Sequence, residues 1–131
     1  MIRFKIALAL VTVVGLIAAT APALAQRSPV PLNIFISTPA NGTSVHGPTI
    51  SVNGQALDEF AFRGINVFVQ VDGGVPVLAT GILRQNGYVF SWRCSLATDN
   101  LALGPHTIGA RLVGAGGETA STSVVVTLMS K

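Results

Sequence analysis

From residue 33 onward the sequence alternates apolar and polar residues with a period of two, in short runs broken by turn-forming residues. Side chains point to opposite faces in succession only along extended backbone, so each run reads as a strand with one face toward a core. Ile50, Val52 and Gly54 alternate with Thr49, Ser51 and Asn53. Ile65, Val67, Val69 and Val71 alternate with Asn66, Phe68 and Gln70, the clearest strand of the chain. Residues 77–83 read as a shorter strand, with Pro76 setting its start at an edge or a strand end. Tyr88, Phe90, Trp92 and Cys94 share a face opposite Val89, Ser91, Arg93 and Ser95. Ile108, Ala110 and Leu112 form the next inward row, and Thr122, Val124, Val126 and Leu128 the last. No window of this stretch carries the three-to-four spacing of an amphipathic helix.

Turn chemistry separates the runs. Pro39-Ala40-Asn41-Gly42, Asp72-Gly73-Gly74 and Gln85-Asn86-Gly87 supply residues that tolerate positive φ, and residues 114–117 form a glycine-rich hairpin loop. About seven strands follow at short spacing, each with a single apolar face. Such faces are buried when two sheets pack together, so the expected fold is an all-β, antiparallel two-sheet sandwich. A closed barrel of similar strand number fits the same pattern. The chain of 131 residues is 50% apolar and 10% charged, which excludes disorder as a global description. Its single cysteine excludes a disulfide framework, and its glycines have no period of three.

The first 25 residues have a different logic. Arg3 and Lys5 precede an uncharged apolar run over residues 6–20, and Ala23-Leu24-Ala25 follows, small at both positions that a signal peptidase reads. The run is shorter than the roughly 20 residues of a membrane-crossing helix. The pattern predicts a secretory signal peptide cleaved after Ala25, a flexible lead-in over residues 26–32, and one sandwich domain over residues 33–130. Gln26 rather than a cysteine stands directly after the cut, so no lipid anchor is expected there. The expected destination is outside the cytoplasm: periplasmic, secreted or at the cell surface. Two of the eight basic residues belong to the signal, leaving six scattered ones against five acids. A nucleic-acid binder needs a basic patch or stripe, so none is expected as a partner. Contact with the membrane is expected only through the signal peptide before cleavage.

At this level the chain resembles the bacterial immunoglobulin-like domains of exported proteins. Ile36-Ser37-Thr38-Pro39-Ala40-Asn41-Gly42-Thr43 is similar to that family's opening stretch, and Val52-Asn53-Gly54-Gln55-Ala56-Leu57-Asp58 to its second strand. The run VFVQVDG ending at Gly73, the position of Trp92, and Leu103-Gly104-Pro105-His106-Thr107-Ile108-Gly109-Ala110-Arg111 extend the resemblance over residues 34–128. It implies an immunoglobulin-like sandwich serving as a spacer, an adhesion module or an appendage to an enzyme. Leu112-Val113-Gly114 and Gly116-Gly117-Glu118 depart from the family's pattern, so its loop-acid cation site is not implied here.

Catalysis is not expected, nor is any cofactor or metal. A nucleophilic site needs Ser or Cys beside an oriented His. Cys94 instead shares the inward face with aromatic residues, where a thiol is a small inert hydrophobe. Intermolecular disulfide pairing is the other reading of a lone cysteine in an exported chain. His106 stands at a strand start after Gly104-Pro105, placed to fasten the preceding crossover through a backbone carbonyl, as a corner tyrosine does in related sandwiches. His46 lies in a polar loop. Two distant histidines without a cysteine pair fall short of a zinc site. Asp58 and Glu59 are adjacent and diverge on an extended chain, Asp72 sits in a turn, and no two acids are spaced for a glycosidase pair.

The candidate partner-contact residues are Phe60, Phe62 and Arg63, in the connection after the second strand, together with Phe68. Two aromatics and an arginine in a short loop form a recognition tip unless the rings cap the open end of the core. Phe68 points away from the valine face and marks a contact patch if that face is uncovered. The expected function is a non-enzymatic binding, adhesion or structural module. Its partner is an unnamed protein or glycan, and its oligomeric state is not set by the sequence. The alternative is a carbohydrate-recognition or accessory module beside a separate enzyme.

Overall fold

A computed structural model of the chain describes residues 31–59 and 64–131. The predicted signal peptide and its cleavage point after Ala25 lie outside these residues, as do Phe60, Phe62 and Arg63. The described residues form nine strands: β1 (Asn33–Thr38), β2 (Ser44–His46), β3 (Thr49–Leu57), β4 (Asn66–Val71), β5 (Val77–Leu78), β6 (Thr80–Arg84), β7 (Val89–Ala97), β8 (Gly104–Val113) and β9 (Thr119–Ser130). They make a four-stranded sheet in the order β1-β3-β7-β6 and a five-stranded sheet in the order β2-β9-β8-β4-β5. No helix among the described residues is long and apolar enough to cross a membrane.

The long strands pair in the register that the alternation requires. β3 and β7 run antiparallel without a break from Thr49↔Ala97 to Leu57↔Val89, and β8 and β9 from Gly104↔Leu128 to Val113↔Thr119. A slip of one residue would turn every apolar side chain to solvent, so the pattern itself holds the pairing. Ile50, Val52, Phe90, Trp92, Cys94 and Leu96 from one sheet meet Val67, Val69, Ile108, Ala110, Leu112 and Val126 from the other. Each fully buried large side chain contributes roughly 1.5–3 kcal/mol, and this layer holds the two sheets together. Trp92 is 1% exposed at its centre. Gly54 makes room for it: a Cβ there would overlap the Phe35 carbonyl oxygen and stand 2.9 Å from Cζ2 of Trp92.

Three expectations are corrected. The five-stranded sheet is mixed rather than purely antiparallel, because β2 runs parallel to β9. The strand count is nine rather than about seven, because the chain changes sheet at both lateral edges. After β1 it turns through Pro39 to Gly42, where Gly42 donates to the Val125 carbonyl (2.7 Å) and Asn41 Oδ1 accepts from the Val125 amide (2.8 Å). The turn thus delivers β2 to the opposite sheet. Residues 77–83, read as one strand, divide at Ala79, which is buried and donates to the Val67 carbonyl at 2.8 Å. β5 pairs with β4, while β6 pairs with β7 across the sandwich. Third, Tyr88 precedes β7 instead of extending its inward row and is 42% exposed.

Candidate functional site

Cys94 and His106, both weighed for nucleophilic catalysis, lie in structural settings. Cys94 is buried in β7, and desolvation pushes its thiol above the usual range, away from the reactive thiolate. His106, at the start of β8, joins two loops at one end of the sandwich. Its Nδ1 lies 2.6 Å from Asp72 Oδ2 in the β4–β5 turn, and its Nε2 lies 2.6 Å from the Ala102 carbonyl in the β7–β8 crossover. Both partners accept hydrogen bonds, so the ring meets both only as an imidazolium with two N–H groups. The bond to the Ala102 carbonyl and then that to Asp72 hold the His106 pKa above its ordinary value. Asp72 also accepts from the Thr107 amide at 2.8 Å, and His106 and this amide together hold its carboxyl below the ordinary range. His106 therefore fastens the crossover through a carbonyl, and the carboxylate partner is the part that spacing did not reveal.

His46 is exposed and its Nδ1 lies 3.3 Å from the Ser130 hydroxyl. Asp58, at the other end of the sandwich, is buried and accepts from the Ala115 amide at 3.2 Å, tying the end of β3 to the β8–β9 loop. Adjacent position in the chain gave no sign of that burial. Among the described residues, no three of His, Cys, Asp and Glu group closely enough to hold a metal ion.

The outer face of the five-stranded sheet has a different character. Phe68 points outward from β4 and is half-buried. Its cross-strand neighbours are Leu78 of β5 and Arg111 of β8, and Arg111 is in turn opposite Ser121 of β9. The Arg111 guanidinium carbon stands 5.4 Å from the centre of the Phe68 ring, a cation–π contact that orients the charged group. Two residues along, Gln70, Gly109 and Ser123 form the next row, and Gly109 contributes no side chain to it. The result is a groove of about 230 Å³ lined by Phe68, Gln70, Pro76, Gly109, Arg111 and Ser121. Two larger and more open concavities lie elsewhere, of about 350 Å³ over the four-stranded sheet and about 450 Å³ beside β2. In the first of these, Arg93 already lies against Gly81.

Of the four contact residues read from the sequence, Phe68 is brought to this groove, and the other three lie outside the described residues. Arg111, Gln70 and Gly109 join it there. The signal for them was present: alternation puts residues 109 and 111 opposite Ile108, Ala110 and Leu112, on the same side as Phe68.

No family model and no curated protein matches the chain. Its fold recurs in solved structures. The endo-beta-1,4-mannanase from Thermotoga petrophila is similar over 80% of this chain, at 14% identity and a TM-score of 0.58. The chain spans 21% of that enzyme's length. CopC from Methylosinus trichosporium OB3b is similar over 76% of this chain and 95% of its own, at 13% identity and a TM-score of 0.43. At this identity the first likeness supports the β-sandwich architecture alone.

Proposed function

We propose that the chain is an exported, non-catalytic immunoglobulin-like module that works by binding through the outer face of its five-stranded sheet. The observation that carries this reading is the division of labour between the two sides of that sheet. Its inner face is sealed by aliphatic packing, whereas its outer face offers an oriented guanidinium, a half-exposed ring and a groove. The strand order supports the family reading. If β1, β3, β4, β6, β7, β8 and β9 are lettered A, B, C, D, E, F and G, the sheets run A-B-E-D and G-F-C, the arrangement of constant-type immunoglobulin domains. His106 at the start of the sixth lettered strand, bonded back to Ala102, occupies the role of the corner tyrosine. Export rests on the basic, apolar and A-x-A segments of residues 1–25.

A second reading, an accessory module acting on carbohydrate beside a separate enzyme, is favoured by the recurrence of the fold within a mannanase chain. The test uses material from the cell envelope and medium, bound to the immobilised protein and to Gly109→Val, which fills the groove. Retention by the parent and loss by the variant support a binding face at this sheet. Equal retention moves binding elsewhere, with Phe60→Ala/Phe62→Ala then reporting on the loop. Turnover of ester, peptide or glycoside substrates by the purified chain overturns the non-catalytic reading. An exported product that does not begin at Gln26 overturns the predicted cut.

A further inference from the structure

Gly109 lies in the middle of β8, a strand flanked on both sides by paired neighbours. Glycine weakens a strand interior, and it persists there for a bulge, a positive φ, tight packing, or close approach of something from outside. The first three are absent: the ladder runs through it without a register shift, its φ is not in the left-handed region, and a Cβ would find ordinary contacts. The nearest atoms would be Gln70 Cγ at 3.8 Å and the Thr122 carbonyl oxygen at 3.9 Å. The fold does not need this glycine. The groove above it does.

The chemistry of the groove narrows the occupant. The Arg111 side chain makes no hydrogen bond or ion pair among the described residues; its contact is with the Phe68 ring, which leaves its N–H fork for an external anion. A planar guanidinium fits a carboxylate with two parallel bonds. The rest of the lining includes an amide (Gln70), a hydroxyl (Ser121) and the apolar ring of Pro76. Those groups suit a ring with hydroxyls on its rim and C–H groups on its faces. The volume of about 230 Å³ is below that of a drug-sized pocket and admits one such ring. A peptide added as a strand needs unpaired backbone, and β8 has none to offer between β4 and β9. A polyphosphate chain needs a row of cations, and among the described residues Arg111 is the one basic residue lining this groove.

We propose that the groove over Gly109 binds a uronic-acid residue of an acidic polysaccharide, its carboxylate held by Arg111 and its ring seated where a side chain at position 109 would be. This rests on the reading of the outer sheet face as a binding surface and names its ligand class. Phe68 acts as the positioning residue for the guanidinium.

The test is calorimetric titration of the protein with tetragalacturonate, with mannotetraose as the neutral ring control and acetate as the carboxylate without a ring. Tetragalacturonate binds at least tenfold more tightly than either control. Gly109→Val and Arg111→Gln each weaken it at least tenfold, and Arg111→Lys falls between Arg111→Gln and the parent. Gly109→Val melts at or above the parent temperature, because a β-branched residue in a strand interior adds order that glycine lacks. Loss of binding without loss of stability separates a ligand seat from a packing defect. If Gly109→Val melts lower, Arg111→Gln alone carries the test. Equal binding of tetragalacturonate and mannotetraose, equal binding of acetate, or unchanged binding by both variants overturns the proposal. No binding of tetragalacturonate also overturns it. In that case Gly109-dependent retention of envelope material would still leave the outer face as a binding surface for another ligand class.

Discussion

Replacing His106 by Phe keeps a ring at the corner and removes both of its N–H groups. At pH 5.5 the native imidazolium holds the Ala102 carbonyl and the Asp72 carboxylate, each at 2.6 Å. A hydrogen bond of ordinary kind contributes about 1 kcal/mol net. The bond to Asp72 is charge-assisted, but the Asp72 side chain is 49% exposed, so solvent screening reduces it to about 0.5–1 kcal/mol. The variant should therefore lose about 1–2 kcal/mol, a fall in melting temperature of roughly 5–15 °C for a domain of this size. The pH dependence has a definite sign. His106 is raised above 6.5, so its contribution is whole below that pH and declines as pH rises through the higher folded value. Asp72 is lowered below 3.8, so its contribution is whole above that pH and declines as pH falls through the lower folded value. Between these limits the clamp is complete. Above them a neutral imidazole keeps one N–H and can serve one acceptor. Thermal unfolding followed by circular dichroism at pH 5.5 and 9.5 should show the parent–variant gap shrinking by about half at the higher pH, as one of the two bonds is lost. A gap of the same size at both values would refute an imidazolium shared between two acceptors.

Three further outcomes are expected. Gly54→Ala should cost about 3 kcal/mol, because the new methyl group overlaps backbone rather than a side chain that can move aside; a urea midpoint equal to the parent's would show that β1 yields freely. Trp92→Ala should cost about 3–5 kcal/mol. Trp92→Phe should cost less than half of that, since the indole Nε1 has no hydrogen-bond partner among the described residues; equal losses measured in urea would reveal an acceptor for that N–H. Cys94 should react with an aromatic disulfide reagent only as fast as the protein unfolds, because the thiol is buried and its pKa raised, so a rapid native reaction would contradict its burial.

The long strands were legible because each carries one face of apolar residues, and that pattern tolerates a single register. β3, β4, β7, β8 and β9 bury most of the residues that alternation assigns to them, from Ile50 to Leu128; Tyr88 is exposed, and Val71 and Thr122 are only partly buried. What alternation lacks is information on partners. Nothing in residues 77–83 distinguishes a strand that stays in one sheet from one that leaves it at Ala79, since the choice depends on the distant Val67 carbonyl. The parallel pairing of β2 with β9 is hidden for the same reason, being set by bonds between residues 41–42 and Val125. At the candidate site, Phe68 was visible as an aromatic on the wrong face. Arg111 and Gly109 were visible too, but their significance needs two neighbouring strands aligned beside them.

The crossing of the chain at both lateral margins has a consequence for life at high concentration. Each margin of the sandwich is shared between two short segments, β1 with β2 and β5 with β6, so the outermost strands are only two to six residues long, although β2 covers β9 only from Thr127 to Ser130. A second molecule approaching side-on meets a rung or two of matching ladder and then a change of plane. Short edge strands in two planes disfavour growth of a continuous sheet from copy to copy.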